Sequence, residues 1–195
     1  MKGKRLLVCA AVLAGIVGIL LISNTVMADY ETAEYELIER DGKFEVRDYQ
    51  PIVVVTTKMA RGEDDGSFGR LFKYISGSNE KEQKIAMTTP VFMPADADGK
   101  TEEMQFVVPE EVAKKGPPMP ESSSVKIKKR AGGKFAVLRF RGRASDTDRK
   151  EQLSVLNGIL NEKGLSSSSA PIFAGYDPPW TPGPMRRNEV LLKLN

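Results

Sequence analysis

Two apolar strings studded with proline limit what this chain can fold into. They are Ile85-Ala86-Met87-Thr88-Thr89-Pro90-Val91-Phe92-Met93 and the stretch from Gly175 to Leu192. Both are built from strand-forming residues, yet proline offers no amide to a ladder, so such strings belong on sheet edges and at rigid corners. In the second, Pro178, Pro179, Pro182 and Pro184 stiffen the backbone around Tyr176 and Trp180, the only tryptophan, before a strand resumes over 188–194. Corners of this kind either wall a pocket or close a barrel.

Period-two alternation dominates the rest. Tyr35, Leu37, Phe44 and Val46 flank Asp41-Gly42, a hairpin signal because this dipeptide tolerates positive φ. Residues 51–57 are β-branched and apolar on both faces, as expected of an interior strand. Segments 84–93, 104–108, 125–130, 134–141, 172–176 and 188–194 read as further strands, with Gly132-Gly133 as a second hairpin turn. Two helices interrupt them. Phe68, Leu71, Phe72 and Ile75 form one apolar stripe that Gly77 ends. Leu153, Leu156 and Leu160 form the other, capped by Ser145 with Asp148 and stopped by Gly164. The connections 94–103, 109–124 and 164–170 read as surface loops. The prediction is an α+β fold: a mainly antiparallel sheet, curled or closed, flanked by two helices. The order strands–helix–strand occurs twice, a duplication of topology without a repeat of sequence.

The first 28 residues stand apart. Lys2, Lys4 and Arg5 precede an apolar run of 17 residues from Leu6 to Ile22, followed by a polar stretch ending Val26-Met27-Ala28. This describes a signal peptide cut before Asp29. The run also approaches the ~20 residues of a membrane span, so an anchor through 6–22 is the alternative. The basic flank keeps that end cytoplasmic in either case and exports the remainder, to the periplasm of a bacterial cell. Cys9 lies inside the run without lipoprotein flanks. The segment also carries all of the formal +3, leaving 26 basic and 26 acidic side chains over 29–195. That balance argues against nucleic acid as a partner.

Absences narrow the chemistry. The chain has no histidine, and its single cysteine is Cys9. Ser-His and Cys-His nucleophiles, imidazole–thiolate zinc sites and covalent haem attachment are therefore excluded for the exported part. Neither a P-loop nor a dinucleotide fingerprint occurs. Glu39, Asp41, Glu45 and Asp48 alternate along a hairpin and read as its solvated face. Lys126–Arg143 carries eight basic side chains and no acid, with Arg139, Arg141 and Arg143 on one strand face and Ala136, Leu138 and Phe140 on the other. It reads as a solvated face, or as a contact for membrane headgroups or a ligand carboxylate.

The two proline strings, together with 35–49 and Phe68–Asn79, resemble the SOUL family of haem-binding proteins from about Tyr30 to Asn195. The resemblance implies a distorted antiparallel barrel flanked by two helices in pseudo-twofold arrangement. It also implies a non-enzymatic carrier or buffer of haem or a related tetrapyrrole, held non-covalently in a hydrophobic groove along the first helix. Carried onto this chain, that groove is Phe68, Leu71, Phe72, Lys73 and Ile75, with Met87 beside it. Lys73, Arg186 and Arg187 are the cations available to propionates. With no histidine, an axial ligand would be Tyr, Met or Lys, and Tyr74 and Met87 lie nearest. The alternatives on such a scaffold are a sensing or interaction module for small apolar molecules, with buried carboxylates facing aromatic walls, and a hydrolase with a carboxylate or tyrosine in the groove. Metal ligation is not expected.

Overall fold

The computed structural model describes residues 30–60, 65–178 and 180–195, so the leader or anchor read over 1–28 lies outside the described residues. The chain opens with β1 (Glu31–Thr32), then β2 (Tyr35–Asp41) and β3 (Phe44–Tyr49), which form the expected hairpin with Gly42 at φ 58°. β4 (Ile52–Lys58) leads to α1 (Ser67–Ile75), and β5 (Thr88–Thr89), β6 (Val91–Pro94) and β7 (Glu103–Val107) follow. After α2 (Glu110–Lys115) come β8 (Val125–Arg130), β9 (Gly133–Arg141), α3 (Asp146–Glu162), β10 (Ile172–Gly175) and β11 (Arg187–Lys193).

The strands close on themselves through a bent ribbon. Phe44 faces Leu138 and Tyr49 faces Gly133 across β3 and β9, while Ile52 faces Arg130 and Thr57 faces Val125 across β4 and β8. The register never slips between the two ladders. Residues 44–57 and 125–138 are therefore one antiparallel pair, creased at Gln50-Pro51 and Ala131-Gly132. Pairing continues from β4 to β7, β6, β10, β11 and back to β9. This is the distorted, mainly antiparallel barrel expected, with β2 appended to β3.

Two like units build it. β4, α1, β6 and β7 give the spatial order β6-β7-β4; β9, α3, β10 and β11 give β10-β11-β9. They meet where β6 pairs with β10, and again along the ribbon. Strand alternation sends side chains to three cores. Leu71, Tyr74 and Ile75 of α1 pack on Val55, Phe106 and Val125. Leu156 and Leu160 of α3 pack on Ala136, Leu138 and Val190. Phe92, Phe135, Val137, Ala174 and Leu191 fill the barrel between them. All three are built from residues within 30–195. Among the described residues no helix is long and apolar enough to cross a membrane.

Three local expectations change. Gly132-Gly133 is not a hairpin turn: β8 and β9 are successive halves of one side of the ribbon. The crease needs glycine because a Cβ at 132 would lie 2.1 Å from the Tyr49 carbonyl oxygen and 2.9 Å from Pro51 N. Gly132→Ala is accordingly expected to cost about 2 kcal/mol or more, measured by urea unfolding. The 109–124 connection holds α2, whose Glu110 and Glu111 open it and whose Lys114 and Lys115 end it, complementing the helix dipole. The strand read over 84–93 shrinks to β5 and β6, because Asn79 holds the preceding loop by bonding Tyr74 O, Gln83 N and Gln83 O. The capping box of α3 forms as expected, with Asp148 N donating to Ser145 Oγ at 3.2 Å and Ser145 N donating to Asp148 at 3.0 Å.

Candidate functional site

The apolar stripe of α1 divides in two. Leu71 and Ile75 turn inward, 0% and 6% exposed, together with Ser67 and Tyr74. Phe72 turns out and is 49% exposed, with Lys73 exposed beside it. Phe68 sits between: its ring stacks on Phe72 at 6.0 Å and 15° and meets Phe106 edge-on at 5.2 Å. Phe72 thus presents an apolar shelf on the outer face of the helix, with the half-buried Phe68 ring behind it. The helix beneath it is fixed by Arg70, whose guanidinium donates to Thr57 Oγ1, Asp65 O and the Lys58 carbonyl.

The structure thus gathers Phe68, Leu71, Ile75 and Met87 around one core and sets Phe72 and Lys73 on the outer face of the same helix. Leu71 and Ile75 support the shelf from below and present no surface to a ligand. Arg187 is committed elsewhere. It pairs with Glu189 at 2.7 Å and lies 4.0 Å over the Tyr176 ring. Arg186 donates to the Thr181 carbonyl at 2.9 Å, bracing the proline corner. Of the two axial candidates, Tyr74 is turned away: its hydroxyl donates to the Pro118 carbonyl at 2.9 Å. Burial, with Glu80 nearby, pushes its phenol up to about 12, so no phenolate forms at neutral pH. Met87 is half-buried against the core under α1.

Inside the barrel lies a polar network that the hairpin pattern concealed. Glu45, expected on a solvated face, is fully buried, as are Arg47 and Glu189. Arg47 donates to Glu45 at 2.6 Å, to both oxygens of Glu189 at 2.8 and 2.9 Å, and to Tyr49 Oη at 2.9 Å. Tyr176 donates to Glu189 at 2.7 Å. Burial alone would lower the Arg47 pKa, but the Glu189 hydrogen bonds and charge carry it well above its ordinary value. The long basic segment is only partly a solvated face, since Arg139 turns toward Glu45 at 3.3 Å and Arg130 lies 3.8 Å over the Phe92 ring. Ala136, Leu138 and Phe140 are buried, as their alternation required.

A groove of about 480 Å³ lies at the crease, between the strap Glu31–Glu34, residues 50–53 and α2. Ala33, Ile52, Val53 and Val107 floor it, and Glu34, Lys114 and Lys129 stand among its lining. Sequence reasoning missed this groove. Its parts are far apart in the chain, and only the register of the ribbon brings them together.

A family model described as "SOUL heme-binding protein" matches residues 30–193. Heme-binding protein 1 of Xenopus laevis is 29% identical over 183 residues, covering 87% of this chain and 95% of the relative. Heme-binding protein 2 of Homo sapiens is 34% identical over 148 residues, covering 71% and 72%. Among solved structures, a hydrolase from Listeria innocua superposes with a TM-score of 0.56 at 13% identity, over 81% of this chain and 94% of that one. At that identity the likeness is one of fold alone.

Proposed function

The chain belongs to the SOUL family of haem-binding proteins, and from that premise we propose that it holds haem or a related tetrapyrrole on the outer face of α1, as a carrier or buffer and not as a catalyst. The observation that carries this reading is the stacked pair Phe68–Phe72 with Phe72 half exposed. The exposed Phe72 ring, backed by the half-buried Phe68, offers a planar macrocycle a face to stack on, and apolar contact of this kind yields about 25 cal/mol per Å² buried. Lys73, one residue on, supplies a cation for a propionate. The chain offers iron no histidine, and the Tyr74 phenol is engaged with Pro118. Met87 is half-buried against the core under α1, and in this reading the grip comes from surface, with iron incidental to it. The basic, apolar N-terminal segment supports export, with the site outside the cytoplasm and the segment either removed before Asp29 or retained as an anchor.

The test is a pair of titrations on residues 29–195, one with hemin and one with metal-free protoporphyrin. Affinities equal within about threefold are expected, because a stacking grip does not distinguish them. Saturable binding of hemin alone would mean that an iron ligand has been overlooked.

A sensing module for apolar cations has one observation in its favour: buried carboxylates facing tyrosines. Here, however, the Arg47 guanidinium already occupies the space between Glu45 and Glu189. The cation site of such a module is filled by the protein's own side chain. A hydrolase would need a free carboxylate or tyrosine at the shelf, and Tyr74 is turned from it.

A further inference from the structure

We propose that the proline corner between β10 and β11 is a membrane-contact site, separate from the α1 shelf. Trp180 and Met185 enter the headgroup layer of an anionic bilayer, and Arg141 and Arg143 at the base of the corner meet its phosphates. Trp180 is the anomaly that points there. It is 79% exposed and Met185 is 64% exposed, more than any other large apolar side chain among the described residues. Pro182 and Pro184, which lie between them, are exposed as well. An indole left in water forgoes the burial that most tryptophans obtain, and a run of exposed apolar residues rimmed by charge marks an interaction surface.

The corner is stiff and projects from the barrel. Thr181 N donates to Pro178 O at 3.0 Å, Met185 N to Pro182 O at 2.9 Å and Arg186 N to Gly183 O at 3.1 Å. Its base is closed where Tyr176 N donates to Arg187 O at 3.2 Å and Arg187 N donates to the Asp177 carboxylate. A projecting tip of this kind encloses no ligand. It suits a soft surface, into which a rigid apolar crown partitions without matching a partner's shape and with little ordering to pay.

Charge selects the lipid. Arg141 lies opposite Arg187 across β9 and β11, and the Arg143 side chain runs against Gly183, where a Cβ would lie 2.8 Å from Arg143 Cγ. Both arginines are exposed, and neither side chain has a hydrogen-bond or ion-pair partner among the described residues. No acidic residue occurs from 178 to 188 or from 122 to 145. The acids that flank these stretches are occupied: Asp177 by the Arg187 amide, Asp146 by Arg149 at 3.4 Å and Asp148 by the α3 cap, while Glu189 is buried. Open cations beside an apolar crown attract anionic headgroups, and tryptophan settles at the same depth. The strap pairs with Thr88–Thr89, which leads into β6 at the end where β10 leaves for the corner. The chain from Tyr30 and the corner therefore share one end of the barrel.

The probe is the protein's own indole. Trp180 is the only tryptophan, so its emission reports on this corner and nowhere else. The full chain is mixed with vesicles of phosphatidylcholine alone, or of phosphatidylcholine and phosphatidylglycerol in equal parts, each with and without brominated acyl chains. In the anionic vesicles Trp180 emission is expected to shift to the blue and to be quenched by the bromines, and added salt should reverse both effects by screening the arginines. Arg141→Gln/Arg143→Gln should lose the quenching, and so should Met185→Asp, whose exposed position leaves the fold intact. Phe72→Asp should keep it, since the α1 shelf takes no part. Emission unmoved by either vesicle overturns the proposal. So does a shift of equal size in both lipids that survives the double arginine variant, because charge would then select nothing. Chain that sediments with anionic vesicles while Trp180 stays unquenched also overturns it, leaving the N-terminal segment as the membrane contact and the corner for a protein partner.

Discussion

Arg47→Met is expected to destabilise the protein by about 3–5 kcal/mol, seen as a lower urea midpoint at unchanged slope. Arg47 is fully buried and bridges two fully buried carboxylates, Glu45 and Glu189. Removing it leaves those charges facing each other in a medium that hydrates neither. Glu45 keeps Arg40 and Arg139, and Glu189 keeps Arg187, so about 3 kcal/mol is the nearer value. The pH dependence gives an independent check. Burial raises the pKa of Glu189, but Arg47, by hydrogen bonds and charge, and then Arg187 and Tyr176 outweigh it, holding the carboxyl below its ordinary 4.5. A carboxyl more acidic in the folded state than in the unfolded one stabilises the fold above that ordinary value and loses this contribution as pH falls through the folded value. The gap between wild type and variant should therefore narrow below about pH 4.5. A gap under about 1 kcal/mol at pH 7, or one unchanged at pH 3, removes the ion-pair explanation.

Why this network escaped the sequence reading is a matter of periodicity. Alternation tells which residues share a face, not whether that face meets water. Glu45 and Arg47 alternate with the apolar Phe44 and Val46, which suits a hairpin with one wet side. Both sides are in fact buried: Phe44 and Val46 pack under α3, while Glu45 and Arg47 enter the closed barrel. Closure becomes visible only once the ribbon is known to keep register through its crease. The elements themselves were legible because each has a local cause, such as the Asp41-Gly42 turn, the Ser145–Asp148 box or the stop at Gly164, where φ is 66°. The Gly132-Gly133 hairpin was misread for the same reason that others were right. A glycine pair marks a tight place, and here the tightness comes from another stretch of chain.

The candidate site was legible in part. The stripe Phe68, Leu71, Phe72 and Ile75 identified the helix, but its core-facing arc runs through Ser67, Leu71, Tyr74 and Ile75. Phe72 lies about 100° from Leu71 around the helix, which is enough to bring it out of the core. Tyr74 went unread as a core residue because its hydroxyl needs a partner, and Pro118, which supplies one, is 44 residues away.

Phe72→Asp is expected to weaken tetrapyrrole binding by about 100-fold while the protein stays folded. The two halves of that statement have separate grounds. Phe72 is 49% exposed, so its loss opens no cavity, and the cost to stability is confined to an unfavourable charge near the end of α1, about 0.5 kcal/mol. For the ligand, the change removes one of two stacked rings and sets a carboxylate where an apolar face was. Losing the ring forfeits about 1.5–3 kcal/mol of burial, and desolvating the new charge adds to this. Phe72→Leu separates the effects, since it keeps apolar surface and loses only the flat face. Its binding should fall about tenfold. Leu71→Asp, one residue away but fully buried, should instead prevent folding. A folded Phe72→Asp protein that holds hemin as tightly as wild type would take α1 out of the site, and the groove beneath the strap would then be the place to look for the macrocycle.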